Sequence, residues 1–369
     1  MFPPGPSIRK NARVTSPRNL LDDTLARVQP LSDDAMAQAR ERQALLTKPA
    51  GALGVLEEVS IQLAGIAGTC PPPAPASPAV AVFAGDHGVL AQGVSPWPQE
   101  VTVGMVENFR AGGAAVNVLA RACGAVVRVI DVGVASEVIG DDTVLARNVR
   151  RGTADLATGP AMSREEAEQA IAVGIDVADQ LADAGHDVLL TGDMGIGNTT
   201  PSACLLAALT GTPADVVTGR GTGIDDETLA LKTQVVAGAV ARLRPDADPI
   251  DVLAEVGGLE HAGIVGLIIG AAARRVPVIL DGVIAGSAAL VAQAISRDSI
   301  AYCLAGHRSV EPGHRAALAK LELRPLVDLD LRLGEGSGAT LAFPLVRAAA
   351  LILDEMATFD SAGVANKDN

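Results

Sequence analysis

Between residues 80 and 304 the chain keeps returning to one pattern: a short apolar run ends in a turn rich in Gly, Asp or His, and an Ala-rich stretch of helical period follows. Val80–Phe83 leads into Gly85-Asp86-His87-Gly88, Val126–Ile130 into Asp131-Val132-Gly133, and Val188–Leu190 into Gly192-Asp193-Met194-Gly195. Val276–Leu280 then leads into Asp281-Gly282, and Ile300–Leu304 into Gly306-His307-Arg308. Runs without polar alternation must be buried on both faces, which happens in a parallel sheet covered by helices on either side. The expected fold is therefore α/β, a Rossmann-like parallel sheet with helices on both faces. Ligands in such sheets bind beyond the carboxyl ends of the strands, where all these turns would lie.

The flanks read differently. From Asp22 to Thr69 apolar positions recur at helical spacing, with breaks at Pro30 and at Lys48-Pro49-Ala50-Gly51, and the Pro-rich stretch Cys70–Pro78 cannot continue a helix. Gly338–Phe359 reads as one apolar helix, with Pro344 placed near its first turn, where proline is tolerated. The expected organisation is a disordered tail (1–18), N-terminal helices of a small domain (19–75) and a large α/β domain (76–330). A last segment (331–369) would carry a Glu335 loop and a helix returning to the small domain.

Composition excludes several functions. The formal net charge is −14 and no basic stripe occurs, so nucleic acid is not an expected partner. The apolar stretch Ala262–Ala273 is shorter than the roughly 18 residues a membrane span needs, and it is expected to be a buried helix. Cys70, Cys123, Cys204 and Cys303 are scattered with no CxxC pair, so neither a zinc site nor a disulfide framework is expected. No apolar stretch of signal-peptide type follows the basic residues Arg9, Lys10, Arg13 and Arg18. Together these point to a soluble cytoplasmic protein.

Three loops can carry chemistry. Thr191-Gly-Asp-Met-Gly-Ile-Gly-Asn-Thr-Thr200 sits between a strand and a helix; its glycines let amides approach an anion, and Asn198 or Thr199 can cap the helix. It lacks the Gly-Lys-Ser/Thr ending of a P-loop, and packing alone also selects such turns. Thr218-Gly-Arg-Gly-Thr-Gly-Ile-Asp-Asp226, ahead of a helix with Lys232, suits a phosphate monoester, although Arg220 and Lys232 read equally well as solvated charges. In Leu331-Arg-Leu-Gly-Glu-Gly-Ser-Gly338, Glu335 is held between glycines as a general base is presented, or else it complements a helix dipole. Trp97, between two prolines, is a wall for a flat ligand or a cover for a core edge. His87 is an acid, a base or a buried hydrogen-bonded imidazole.

Taken together, several segments resemble the nicotinate-nucleotide:dimethylbenzimidazole phosphoribosyltransferases of cobalamin biosynthesis. They are Lys48-Pro-Ala-Gly-Ala-Leu-Gly-Val-Leu-Glu57, Gly85-Asp-His-Gly-Val89, Val94-Ser-Pro-Trp-Pro-Gln-Glu-Val-Thr102, Gly192 to Thr200, Val256-Gly-Gly-Leu-Glu260, Asp281-Gly282, Gly306-His-Arg-Ser-Val-Glu-Pro-Gly313 and Arg332 to Gly338. They follow the family's order over nearly the whole chain. The resemblance implies a homodimer, with nicotinate mononucleotide and dimethylbenzimidazole as substrates and no cofactor or metal. Glu335 matches the family's catalytic base.

The resemblance also implies substrate contacts from Asp193, Met194, Gly195, Gly197, Asn198 and Thr199, and from Arg220, Gly221, Thr222, Gly223 and Lys232. Ser309, Leu333, Gly336 and Ser337 belong to the same set, with Ser95 and Gln99 lining the benzimidazole pocket. Two positions depart from the family: Asp193 stands where Glu is usual, and Ala52 where Lys-Pro-x-Gly is followed by Ser.

The implied chemistry follows from charge. In nicotinate mononucleotide the leaving group is already a cationic pyridinium, so its departure needs no acid, while the attacking azole must shed a proton to a base. Two other readings compete. A Rossmann-type oxidoreductase requires a GxGxxG turn with an acidic residue about 20 positions on, which is not found. A silent nucleotide-binding protein would be suggested by loss of Glu335, which is present.

Overall fold

A computed structural model of the chain describes residues 16–365, so nearly all of the expected tail lies outside the described residues. The helices α1 (Pro17–Leu25), α2 (Asp33–Leu45) and α3 (Val55–Ala67) precede β1 (Pro78–Gly85), α4 (Glu100–Arg110), α5 (Ala115–Cys123), β2 (Val126–Gly133) and β3 (Val144–Ala146). Next come α6 (Arg164–Asp183), β4 (Val188–Met194), α7 (Thr199–Thr210), α8 (Ala214–Val217), α9 (Asp226–Ala241), α10 (Pro249–Val256) and α11 (Leu259–Ala273). The chain finishes with β5 (Val278–Leu280), α12 (Val283–Ile295), α13 (Arg297–Ile300), β6 (Cys303–Ala305), α14 (Pro312–Leu321), α15 (Ser337–Glu355) and α16 (Phe359–Ala362).

All strand pairs are parallel, in the order β3-β2-β1-β4-β5-β6. The order reverses between β1 and β4, and at such a switch point the loops leaving neighbouring strands diverge and open a crevice. Burial on both faces explains the unbroken apolar strands. Along β1, Ala79, Ala81 and Phe83 join one core with α6, α7, α11 and α12, whereas Val80, Val82 and Ala84 join a second with α3, α4, α5 and α15.

The first layer is drawn tight by glycine. Where α6 crosses α11, a Cβ on Gly266 would lie 1.9 Å from the Ile171 carbonyl oxygen, and one on Gly174 would lie 2.0 Å from that of Gly263. Only hydrogen at these positions permits the backbones to meet. The start of α6 is set by Ser163 and Glu166, whose side chains each take the other's backbone N–H.

On the other side α2 packs on α3, and α3 packs along α15, with Ala35, Ala39, Ala64 and Leu353 at the centre. Arg42 ties α2 to the end of α15 by donating to the carbonyls of Leu353 and Asp354. Helix α1 lies against α6 instead, and Leu21 enters the larger core. Among the described residues α15 alone is long and apolar enough to cross a membrane, and its Ala342, Phe343, Val346, Ala349 and Ala350 are buried within the protein.

The differences from the sequence expectation are local. β5 starts at Val278 rather than Val276, and residues 297–300 form α13 before the three-residue β6. Their apolar side chains are buried in the core without belonging to the sheet. β3 is too short to leave a period and was not anticipated. Pro17 and Arg18, expected in the tail, belong to α1, whose entrance Ser16 caps. Pro344 lies inside α15, not in its first turn, on the exposed side of the helix.

Candidate active site

The turns leaving β4, β5 and β6 enclose a narrow cleft. Asp193, Asn198, Thr199, Gly221, Thr222, Ser309 and Leu333, all expected site residues, are on its wall together with Gly282, His307, Glu311, Arg332 and Gly334. The cleft is small, about 70 Å³, and adjoins a pocket of about 460 Å³ that shares Gly221, Glu311 and Arg332 with it. A larger hollow of about 880 Å³ near Arg297 and Lys320 lies by the amino end of β6, away from every strand-end turn.

Behind the cleft wall, on which Arg332 stands, Lys232 is a buried cation. It projects from α9 with only 2% of its surface exposed, and its ammonium donates to Thr199 Oγ1 (2.7 Å) and to the Gly219 carbonyl (3.0 Å). Burial lowers its pKa to about 8, with the nearby Glu311 charge opposing the shift. Glu311 in turn accepts the Gly221 N–H at 2.8 Å. An internal carboxylate thus occupies a backbone donor of the loop that would suit a phosphate.

Arg220 behaves as the blander reading expects. Its guanidinium donates to the Ile224 carbonyl and to Asp226, and so closes its own loop. Asn198 does not cap α7 with its side chain; its Nδ2 donates to Asp193 (2.9 Å) instead. Asp193 is buried, and burial raises its carboxyl well above the ordinary range, helped by the charges of Asp281, Glu260 and Glu335.

Glu335 stands at the junction of two surroundings. Leu333 and Gly334 on one side belong to the cleft. The Glu335 carboxyl is directed towards the Val116 N–H at the amino end of α5, and its Oε2 has no partner. Met194, Ile196, Leu90, Val101, Met105 and Val116 form an apolar cluster there. Burial raises the Glu335 pKa, the Val116 N–H opposes this, and the Asp281 charge adds to it. A carboxylate made more basic, with one free oxygen, is equipped to take a proton.

The backbone that holds it is unusual. Gly334, Glu335 and Gly336 have φ of +82°, +65° and +90° in succession, a left-handed run that is costly for glutamate. A Cβ on Gly192 would lie 2.7 Å from the Glu335 carbonyl oxygen, so the turn rests directly on β4.

Ser95 and Gln99 lie outside the cleft wall, half-buried before α4, whose Thr102 hydroxyl accepts the Ile196 N–H (3.2 Å) and so touches the 193–199 loop. Met194, Gly195, Gly197, Gly223, Gly336 and Ser337 are also off the wall; Ser337 donates its hydroxyl to the Gly334 carbonyl (2.8 Å). The residues that sequence reasoning did not assign are Asp281, Gly282, His307, Glu311 and Arg332. Their segments were noticed, but nothing in the order of residues says that the turns after β4, β5 and β6 converge with the 221–222 and 332–334 loops. His87 is buried against Glu260, whose Oε1 is 3.0 Å from His87 Nε2 and 2.7 Å from His261 Nδ1, with the other nitrogen of His261 2.8 Å from Ser202 Oγ. That places it in a structural network behind the 193–199 loop.

Comparison with known proteins agrees with this architecture. Residues 28–364 match a family described as phosphoribosyltransferase. A nicotinate-nucleotide–dimethylbenzimidazole phosphoribosyltransferase of Salinispora tropica is 58% identical over 363 residues, 94% of this chain and 100% of that protein. One of Chloroflexus aurantiacus is 55% identical over 350 residues, covering 95% and 99%. The crystal structure of the Thermus thermophilus enzyme superposes with a TM-score of 0.88 at 49% identity, over 91% of this chain and 100% of that one.

Proposed function

This chain belongs to the family of nicotinate-nucleotide–dimethylbenzimidazole phosphoribosyltransferases, and on that premise we propose that Glu335 is the base of the transfer and the Lys232 cleft its phosphate site. The activity is the transfer of the phosphoribosyl group of nicotinate mononucleotide to 5,6-dimethylbenzimidazole, giving α-ribazole 5'-phosphate and nicotinate for the lower ligand of cobalamin. One azole nitrogen bonds to the anomeric carbon as the carbon–pyridinium bond breaks from the opposite face, and the second nitrogen passes its proton to Glu335. The pyridinium keeps its bonding electron pair and leaves as neutral pyridine nitrogen, so no acid is needed and no step calls for a metal.

The observation that carries this reading is the free, buried oxygen of Glu335 in a left-handed turn between the cleft and the apolar cluster. In support, Lys232 and the Thr199 hydroxyl supply donors for one phosphate, and the carboxyls of Asp193 and Glu335 suit a substrate with a cationic ring. Ser95 and Gln99 are assigned to the benzimidazole side through the contact of α4 with the 193–199 loop. A homodimer fits the exposed Leu333 on the cleft wall and the exposed Val310 in the adjoining pocket. The division at residues 19–75, 76–330 and 331–369 draws support from the packing of α2 and α3 with α15, although α1 sides with the large unit. A cytoplasmic setting completes the proposal.

Glu335→Gln tests it. The amide keeps the shape but takes no proton, so turnover falls by about a hundredfold or more, roughly 3 kcal/mol of barrier, while nicotinate mononucleotide still binds. Nicotinate release measured against time reads this directly. Turnover at the wild-type rate removes Glu335 from the chemistry.

A further inference from the structure

Asp281, at the carboxyl end of β5, is 1% exposed and is used by no step above. Its carboxylate accepts the N–H groups of Gly336 (3.2 Å), Gly338 (2.7 Å) and Ala339 (3.0 Å). These are the residues that follow Glu335, and they form the free amino end of α15, where a carboxylate also meets the helix dipole. The turn is internally locked as well: Ser337 donates to the Gly334 carbonyl and Thr340 to that of Gly336 (2.7 Å). Internal bonds make it a rigid unit but do not say where that unit sits. Among the hydrogen bonds of residues 334–340, only those to Asp281 tie it to the sheet.

We infer that Asp281 is a positioning residue for the transfer, anchoring the left-handed Glu335 turn to β5 and keeping a negative charge beside the base. This rests on the reading of Glu335 as that base. Without the anchor, the turn loses its hydrogen bonds to the sheet, and the cost of glutamate in the left-handed region favours its relaxing away from β4. The ionisable groups around it come from several elements: Asp193 at the end of β4, Glu260 from α11 acting on Asp193, and His307 beyond β6, whose Nε2 is 3.7 Å from Asp281. His314 on α14 lies behind His307, with ring centroids 5.9 Å apart. Of these, it is the charge of Asp281 that bears on Glu335 and makes it more basic, after burial itself.

The test is a double-mutant cycle of Asp281→Asn and Glu335→Gln, with kcat and KM followed from pH 5 to 9. Asp281→Ser, which still offers an oxygen to the helix end, replaces the amide if that variant does not fold. Asp281→Asn is expected to lower kcat by about ten- to a hundredfold, the effect of a displaced reacting group, with little change in KM for nicotinate mononucleotide. The acid limb of kcat moves to lower pH, because a neutral neighbour leaves Glu335 a weaker base. In the Glu335→Gln background the same change costs almost nothing. An equal loss in both backgrounds, or an unmoved acid limb in Asp281→Asn, overturns the role of Asp281. If Glu335→Gln alone keeps the wild-type rate and limb, it is the assignment of the base that fails.

Discussion

Replacing Lys232 with Met separates the charge of the cleft from its packing. Methionine has nearly the same length, and the site is 2% exposed, so the ammonium has already been stripped of water before any ligand arrives. A phosphate meeting it therefore gains a charge-assisted hydrogen bond without a new desolvation cost, about 1.5–3 kcal/mol, or roughly a 10- to 150-fold change in Kd. The same residue makes binding depend on pH. With its pKa lowered by burial to about 8, free Lys232 is mostly ammonium at pH 7 and mostly amine at pH 9. A phosphate monoester loses its second proton near pH 6 and so does not titrate in this range. The Kd of the wild-type protein for nicotinate mononucleotide should rise by about tenfold between pH 7 and 9, as the ammonium fraction falls. Lys232→Met should bind 10- to 150-fold more weakly at pH 7, by the same arithmetic, and show no slope from 7 to 9. Isothermal titration calorimetry at several pH values measures both. A variant that keeps the wild-type slope, or a wild-type protein without one, refutes the assignment of the cleft's charge to Lys232.

Two further predictions concern what holds the site in place. Glu260 is fully buried between His87 and His261; burial works to raise its pKa, but the two imidazoles outweigh it and the carboxyl stays below the ordinary range. Its contribution to stability is complete above about pH 4.3, the unfolded value, and is lost as pH falls through the depressed folded one. For His87 burial opposes and Glu260 prevails, so its pKa is raised and its share is complete below about pH 6.5 and lost as pH rises through the folded value. Glu260→Gln should cost about 3–5 kcal/mol in urea unfolding at neutral pH, and a loss under about 1 kcal/mol would show that the network is dispensable. Gly266→Ala forces a methyl group against the Ile171 carbonyl and should cost at least 1–3 kcal/mol, read as a lower thermal midpoint; an unchanged midpoint would mean that α6 and α11 can part freely.

Much of the molecule is legible in the order of its residues, for reasons that are local. A strand buried on both faces cannot alternate, so Val80–Phe83 and Val188–Leu190 announce a parallel sheet. A left-handed turn favours glycine, so Gly334-Glu335-Gly336 marks an unusual turn, although the sequence left open whether Glu335 acts as a base or complements a helix dipole. The short edge strand β3 escaped because three residues carry no period, and β6 starts later than the apolar run Ile300–Leu304 implies because Ile300 is buried from α13 and not from the sheet.

What the chain determined by itself is the class of fold and the identity of the loops, since each follows from spacing within a few residues, while the family entered through the resemblance of segments spread over nearly the whole chain. Which charges point into the cleft was decided by tertiary structure alone. Arg220 and Lys232 look interchangeable in a line of letters, yet one is used up by Asp226 and the other is buried against Thr199. Asp281 reads as an ordinary turn residue until β5 brings it beneath the amino end of a helix that begins 56 residues later, at Ser337. Burial and the direction of a neighbour's N–H are properties of a packed assembly, and they decide whether a carboxylate is solvated surface, an anchor or a base.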